Sequence, residues 1–192
     1  MKSLHHDEDG FTGLEAAIVL IAFVVVAAVF SYVVLGAGFF TTQKSQEVVH
    51  TGIQQASSTL EVAGNVYGTS TDAAEVDAIN FTLALAPGGT AVDFSKVVLT
   101  YSNASVLETL GRVNTVNTVA TAGNWAVVSI QNDAGGNNFL LEKGEQFNIM
   151  AMPTDTVGAN DMFNLEVKPA VGSPLDIHRT IPPAVKKVNI LY

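Results

Sequence analysis

Residues 10–40 read GFTGLEAAIVLIAFVVVAAVFSYVVLGAGFF, and this stretch decides the fold of the chain. Almost every residue from 16 to 40 is apolar, and no formal charge occurs between Glu15 and Lys44. A membrane-spanning helix needs about 20 such residues, because each one adds about 1.5 Å of length. The stretch therefore predicts a helix that is apolar on all sides, which must be surrounded by lipid or by other helices.

Glu15 is the one carboxylate at the edge of this apolar segment. A carboxylate in a membrane-embedded helix costs roughly 2.5–3.5 kcal/mol at the bilayer centre on insertion scales. Because that cost must be offset by some interaction, we interpret Glu15 as a functional residue of the helix.

The helix also carries residue types that suit packing against copies of itself. Helices in an apolar setting gain no hydrophobic driving force from association, so small residues such as Gly13 matter because they permit close contact. Phe23 and Phe30 are large enough to fill the gaps between neighbouring helices. Contacts between aromatic rings add about 0.5–1.5 kcal/mol per pair beyond the area that they bury.

We expect the helix to extend to Gly64, since residues 41–64 contain no proline. In this second half, apolar residues recur at spacings of three and four and predict a single apolar stripe. They are Val49, Ile53, Ala56, Leu60 and Ala63. The predicted assembly or transmembrane helix is 11–64, followed by a linker at 65–75.

From Val76 onward the apolar residues alternate as they do in β-strands. About eight short runs at spacings near ten residues predict an Ig-like β-sandwich over 76–192, and the class as a whole is α+β. We expect Asp133–Asn137 to connect the two strands of a hairpin. About 115 residues suffice for one hydrophobic core.

Composition excludes several classes of protein. The chain has 192 residues and a net charge of −9, which argues against binding nucleic acid through phosphate contacts. It has no cysteine, so neither a disulfide framework nor a thiolate zinc site is possible.

Nothing in the sequence predicts an enzyme, a metal or a cofactor. No phosphate-binding glycine loop or nucleophile elbow occurs. The four histidines form no metal-spaced pair on a folded element. Asp72, Glu75 and Asp77 are interpreted as surface residues rather than as a cation site. The sequence thus predicts no catalytic residues.

The segment Gly10-Phe11-Thr12, with Leu14-Glu15 and the apolar helix behind it, resembles the processing site of type IV pilins and archaeal flagellins (archaellins). Residues 173–183 resemble the end of archaellins, in which a Gly/Pro turn and alternating apolar residues precede Arg-Thr and prolines. The resemblance implies that residues 1–10 are a class III signal peptide, which a prepilin-type signal peptidase removes between Gly10 and Phe11. Glu15 would then be a partner for the new amine of Phe11.

The resemblance to archaellins also implies a function. We expect a structural subunit of the archaeal motility filament (archaellum), a secreted and extracellular helical homopolymer whose precursor is inserted in the membrane. Its partners would be other copies of itself, the signal peptidase, and the motor and assembly platform in the membrane. The alternatives are a subunit of an adhesive type IV-like pilus and a membrane-anchored surface domain.

Two sequons for N-glycosylation occur, at Asn80-Phe81-Thr82 and Asn103-Ala104-Ser105. Because archaellins are often glycoproteins, the resemblance makes both asparagines candidate attachment sites. Asn103 follows the end of an expected strand, whereas Asn80 lies among strand residues. We therefore favour Asn103.

Overall fold

The structure is a computed structural model that describes residues 7–133 and 135–192, with the backbone alone at 7–12 and 56–57. The chain divides into two compact units, one ending at Thr51 and the other comprising Gly52–Tyr192. The elements are α1 Asp7–Ser57, β1 Leu60–Val62, β2 Val66–Thr69, β3 Ala78–Leu85, β4 Val92–Asp93, a 3-10 helix Phe94–Lys96, β5 Val98–Asn103, β6 Leu107–Arg112, β7 Asn124–Gln131, β8 Leu140–Leu141, β9 Gln146–Met152, β10 Met162–Lys168, β11 Leu175–Thr180 and β12 Val188–Leu191. A long apolar helix followed by a large β domain confirms the α+β class.

Helix α1 is one uninterrupted element of 51 residues. At about 1.5 Å per residue its length is roughly 75 Å. Its N-terminal part crosses the predicted cleavage point between Gly10 and Phe11, whereas residues 1–6 of the predicted signal peptide lie outside the described residues.

The predicted C-terminal end of the helix is wrong, because α1 ends at Ser57 and not at Gly64. Leu60 lies in β1 and is buried, and its backbone pairs with Leu85 of β3. Sheet pairing with a distant strand therefore overrides the helical spacing of these residues. Of the predicted stripe, Val49, Ile53 and Ala56 lie within α1, where Val49 and Ile53 are exposed, whereas Leu60 and Ala63 lie beyond its end.

Ten strands form one hydrogen-bonded sheet in two segments. The first segment has the order β11-β10-β5-β6, and the second has the order β7-β9-β3-β2-β12 with β1 on β3. A short parallel pairing between β6 and β7 joins them, through Gly111 with Asn124 and Arg112 with Trp125. Strands β4 and β8 form a separate pair.

The two segments enclose a single hydrophobic core. Leu99, Phe163 and Ile177 of the first segment belong to the same buried cluster as the inward residues of the second. Phe94 of the 3-10 helix packs on Trp125 and Phe147, with ring centroids 6.4 and 5.0 Å away. The domain thus has two β layers over a common core, and burial of each large side chain contributes about 1.5–3 kcal/mol.

Tyr101 lies deep in this core and stacks on Phe163, with ring centroids 6.2 Å apart. Its hydroxyl forms no hydrogen bond of normal geometry with the described residues. Because burial disfavours the charged phenolate, it raises the pKa of Tyr101 to about 12. Tyr101 is therefore a neutral core residue at physiological pH.

The β domain begins earlier and is more elaborate than the sequence pattern predicts. Strand β1 lies within the predicted helix, and β2 lies within the predicted linker at 65–75. Asp133–Asn137 lies in the connection of an antiparallel strand pair, but this connection is longer than expected, because β7 pairs with β9 and the intervening β8 pairs with β4. The long connection from β7 to β9 contains β8, and Ala134 lies outside the described residues.

The chain that follows α1 is fixed to the β domain at Ser58 and Thr59. The Ser58 hydroxyl lies 2.7 Å from the Thr90 hydroxyl, and the Ala86 amide donates to the Thr59 carbonyl at 3.0 Å. Gly172, in the connection between β10 and β11, has a φ of +115° and closes over Ser58. A Cβ at Gly172 would overlap the Ser58 carbonyl oxygen, so only glycine fits there.

Substitution Gly172→Ala is expected to destabilise the β domain by more than about 2 kcal/mol, because a clash with Ser58 adds to the strain of a positive φ. Thermal or denaturant unfolding of the detergent-solubilised chain measures the change. Gly88→Ala is the matched control, since Gly88 also has a positive φ, of +84°, but has open space at the Cβ position. Equal losses in the two variants would refute the role of the Ser58 contact.

Candidate functional site

The apolar residues of α1 form a long exposed surface among the described residues. Phe23 and Phe30 have exposed fractions of 72% and 69%, and the apolar residues around them are exposed on every side of the helix. The described helix is long and apolar enough to cross a membrane over 13–55. Monomeric soluble proteins rarely expose contiguous apolar patches larger than a few hundred Å², so this surface requires a partner.

Glu15 lies exposed near the start of this surface. Ion pairs among the described residues form at Lys44–Glu47 and Lys96–Asp93, and Glu15 takes part in neither. Between Glu15 and Lys44 the helix carries no charge over roughly 43 Å. The carboxylate is thus available to a group outside the described residues.

Gly13 is open for close approach by another helix. A Cβ at Gly13 would have no atom within 4 Å beyond the local helix backbone, and the same holds for Gly36, Gly38 and Gly52. Each glycine costs about 1 kcal/mol in a helix relative to alanine. No contact among the described residues requires these glycines.

Beyond Phe40 the helix becomes polar, and its hydroxyls are satisfied within the helix. Thr41 and Thr51 donate to the carbonyls of Ala37 and Glu47, each at 2.8 Å. Lys44 and Glu47 form an exposed ion pair at 2.6 Å. These bonds keep polar groups paired at the end of the apolar surface.

The two sequons have different surroundings in the β domain. Asn80 lies between β2 and β9, and its side-chain amide donates to Thr69 Oγ1 at 3.1 Å. The hydroxyl of its sequon partner Thr82 donates to Asn148 Oδ1 at 2.7 Å. Both polar side chains of this sequon are therefore engaged across the sheet.

Asn103 lies where β5 ends in a tight turn to β6. Its Oδ1 accepts from the amides of Ser105 and Val106, at 2.8 and 2.6 Å, and Ala104 and Ser105 are exposed. The turn borders a surface pocket of about 470 Å³ that Asn164 and His178 also line. Of the two sequons, this one lies at a turn whose second and third sequon residues are exposed, while Asn103 itself is half-buried.

The acidic residues Asp72, Glu75 and Asp77 accept hydrogen bonds from other residues of the β domain. Asp72 accepts from the Ala74 amide at 3.0 Å, and this bond lowers the pKa of its carboxyl group. Asp77 accepts from the Thr71 amide at 2.7 Å, and Glu75 accepts from the Thr156 hydroxyl. The described residues contain no group of three acidic or histidine side chains placed to hold a metal ion.

The sequence analysis missed a reversal of polarity in β12. Asn189 is buried, whereas the apolar Val188 and Ile190 point outward. The Asn189 side chain donates to the carbonyls of Lys186 and Gly68, at 2.6 and 3.3 Å, and accepts from the Lys186 amide at 2.8 Å. The asparagine between two branched apolar residues is the signal that could have revealed it.

Comparisons with known proteins agree with the helix and the β domain described above. The archaeal-type flagellin family matches residues 10–179. The protein described as probable flagellin 1 of Archaeoglobus fulgidus is 41% identical, with 96% of each chain covered. A chain in the structure of the archaeal flagellum of Methanospirillum hungatei is 36% identical and covers 94% of this chain and 99% of its own, with a TM-score of 0.73.

A crystal structure of the archaeal flagellin FlaB1 from Methanocaldococcus jannaschii is similar in fold alone. It is 19% identical, with a TM-score of 0.59, and the match covers 69% of this chain and 95% of that one. The family matches most of the sequence, and the relatives are similar over nearly the whole length of the chain. These two findings establish the family to which the chain belongs. The chain belongs to the archaeal-type flagellin family.

Proposed function

We propose that this chain is a structural subunit of the archaellum and that copies of it polymerise through α1 into a helical filament. The observation that carries the proposal is the apolar surface of α1, which is exposed on all sides in the single chain. The similarity to a chain of the archaeal flagellum of Methanospirillum hungatei supports it. Heterologous contacts between identical subunits that do not close a ring generate a helical filament.

The energetics of this assembly follow from the residues of α1. In the precursor, lipid surrounds the apolar helix, and in the filament the helices of other copies replace lipid. Because lipid and helices are equally apolar, van der Waals packing at small residues such as Gly13 drives the exchange. Phe23 and Phe30 fill the space between the helices of adjacent copies.

The subunit itself performs no chemistry in this function. It transmits motion as a passive polymer outside the cell, and rotation comes from a separate motor at the base of the filament. The assembly platform in the membrane receives the precursor, whose helix holds it there until it is added to the filament.

Processing precedes assembly in this proposal. A prepilin-type signal peptidase cuts between Gly10 and Phe11, so the acidic residues 7–9 are removed from the part of the helix that becomes buried. Retaining those charges in the core of a filament would require desolvating several carboxylates.

The native filament subunit is expected to begin at Phe11, and mass spectrometry of its N-terminus measures this directly. Gly10→Val should block cleavage, because the peptidase must approach the backbone closely at this residue. The matched control is Gly52→Val, a change of the same kind at an exposed position of the same helix. A filament subunit that begins at Met1 would refute the processing step.

Glu15 is assigned a role in assembly. Cleavage creates an amine on Phe11, four residues before Glu15, and this amine can pair with the carboxylate of the same or an adjacent subunit. Such a pair offsets the cost of burying the carboxylate only if its geometry is good.

Glu15→Ala is expected to reduce the filament yield at least about tenfold, since removing one partner of a buried ion pair costs about 3–5 kcal/mol. Electron microscopy and sedimentation of filaments from cells measure the yield. Glu47→Ala is the control, because Glu47 lies exposed in the same helix and pairs only with Lys44 among the described residues. A normal yield of Glu15→Ala filaments would show that the carboxylate is dispensable.

Glycosylation of the β domain is proposed at Asn103 in preference to Asn80. The exposed turn at Asn103 supports this choice, and so does the engagement of Asn80 and Thr82 with neighbouring strands.

Ser105→Ala is expected to remove the glycan and lower the mass of the intact subunit, because the hydroxyl of the third residue is part of the acceptor sequon. Thr82→Ala is the matched change at the other sequon and should leave the mass unchanged apart from the substitution itself. Intact-protein mass spectrometry distinguishes the two outcomes. If only Thr82→Ala removes the mass of a glycan, the glycan is attached at Asn80 and not at Asn103.

A further inference from the structure

The outward side of β12 forms an apolar patch beside two lysines, here called the β12 face. Its apolar members are Tyr67, Val188, Ile190 and Tyr192, with exposed fractions of 39%, 60%, 39% and 83%. Lys186 and Lys187 directly precede β12 and are exposed. No carboxylate of the described residues lies within 4 Å of either ammonium group.

The hydrogen bonds of Asn189 make this patch a fixed feature of the fold. Its side chain bonds to Lys186 and Gly68 inside the domain, and this sets which residues of β12 face outward. A shift of one residue would turn Val188 and Ile190 inward but would expose Leu191 and break these bonds. The apolar residues are therefore held at the surface by the register of the strand.

A second patch, here called the β10–β11 face, lies on the outer side of the other layer. Glu166 and Asp176 are directly opposite each other in the antiparallel pairing of β10 with β11. Like charges in such a position destabilise the pairing. No lysine or arginine of the described residues lies within 4 Å of either carboxylate, although Lys168 follows Glu166 on the same side of β10.

Exposed apolar residues also lie on the outer side of this layer, at Met162 of β10 and Leu107 of β6. Leu107 and Met162 have exposed fractions of 77% and 59%. The β12 face thus carries two lysines, whereas the β10–β11 face carries two carboxylates with Lys168 beside them, so the net charges of the two faces are opposite in sign.

The two faces lie on the outer sides of different layers of one domain. The inward residues of both layers share a single core, so the outer sides of the layers point away from each other. Such an arrangement prevents the two faces of one domain from meeting, but it allows the β12 face of one copy to meet the β10–β11 face of the next. Heterologous contacts of this kind repeat from copy to copy, and they form an open filament when the rotation between copies does not close a ring.

We infer that the β12 face docks on the β10–β11 face of a second copy of this chain, with Lys186 and Lys187 placed against Glu166 and Asp176. The inference rests on the proposed filament function and adds to it a contact between outer domains. The facing lysines relieve the repulsion between the two carboxylates, and the apolar residues of both faces are buried around them. Because solvent ions screen charges at such an interface, the contact weakens as the salt concentration rises.

Charge reversal on one face and then on both tests the inference in the full chain. Lys186→Glu with Lys187→Glu, or Glu166→Lys with Asp176→Lys, should each lower the sedimentable filament fraction at least about tenfold, because like charges then face each other. All four changes together should restore the fraction to within about threefold of the native chain. Lys143→Glu and Asp155→Lys are control changes at exposed charges outside both faces.

The outcomes separate this inference from the proposed function. Unfolding of each detergent-solubilised variant by circular dichroism verifies that the β domain is intact. If the native chain forms filaments and either double-reversal variant forms them in normal amounts, the docking of the two faces is overturned. The proposed filament function is not affected by that result. Failure of the fourfold variant to recover would also overturn the docking. A native chain that forms no filaments would overturn the proposed function, and the docking with it.

Discussion

The exposed apolar surface of α1 is the constraint on which the rest of this protein depends. A helix that is apolar on all sides over more than 20 residues has no stable state in water. The β domain has its own closed core, and the apolar residues of this surface are exposed in the single chain. The helix must therefore exist in lipid or among other helices, and a filament built from its copies satisfies the same requirement outside the membrane.

The β domain is built to remain folded without help from the helical surface. Two layers meet over aromatic residues such as Trp125, Phe94 and Tyr101, and the chain leaving α1 is fastened at Ser58 and Thr59. Gly172 permits the connection between β10 and β11 to lie directly over Ser58. The domain can thus be stable whatever surrounds the helix.

Strands with regular alternation are predictable from sequence because one face of each is buried. Phe81 and Leu83 in β3, Ile149 in β9 and Leu165 in β10 all point into the core as their spacing indicates. Prediction of secondary structure fails where the apolar residues of a short segment fit both the helical and the strand periodicity. Leu60 suits a helical stripe and a strand equally, and its pairing with Leu85, which is distant in the sequence, decides between them. Prediction of which residues are buried also fails at β12. There the hydrogen bonds of Asn189 to Gly68 and Lys186 keep this polar residue inside the domain, and its apolar neighbours face outward.

The sequence by itself determined the long apolar helix, the carboxylate at its edge, the two sequons and the β class of the remaining chain. These follow from local composition and periodicity, which do not depend on distant contacts. Only the tertiary structure decided where the helix ends, that β1 and β2 belong to the domain, and that Asn189 is buried while Val188 and Ile190 face outward. The physical reason is that strand register and side-chain hydrogen bonds join residues far apart in the chain, so a local pattern carries no record of them.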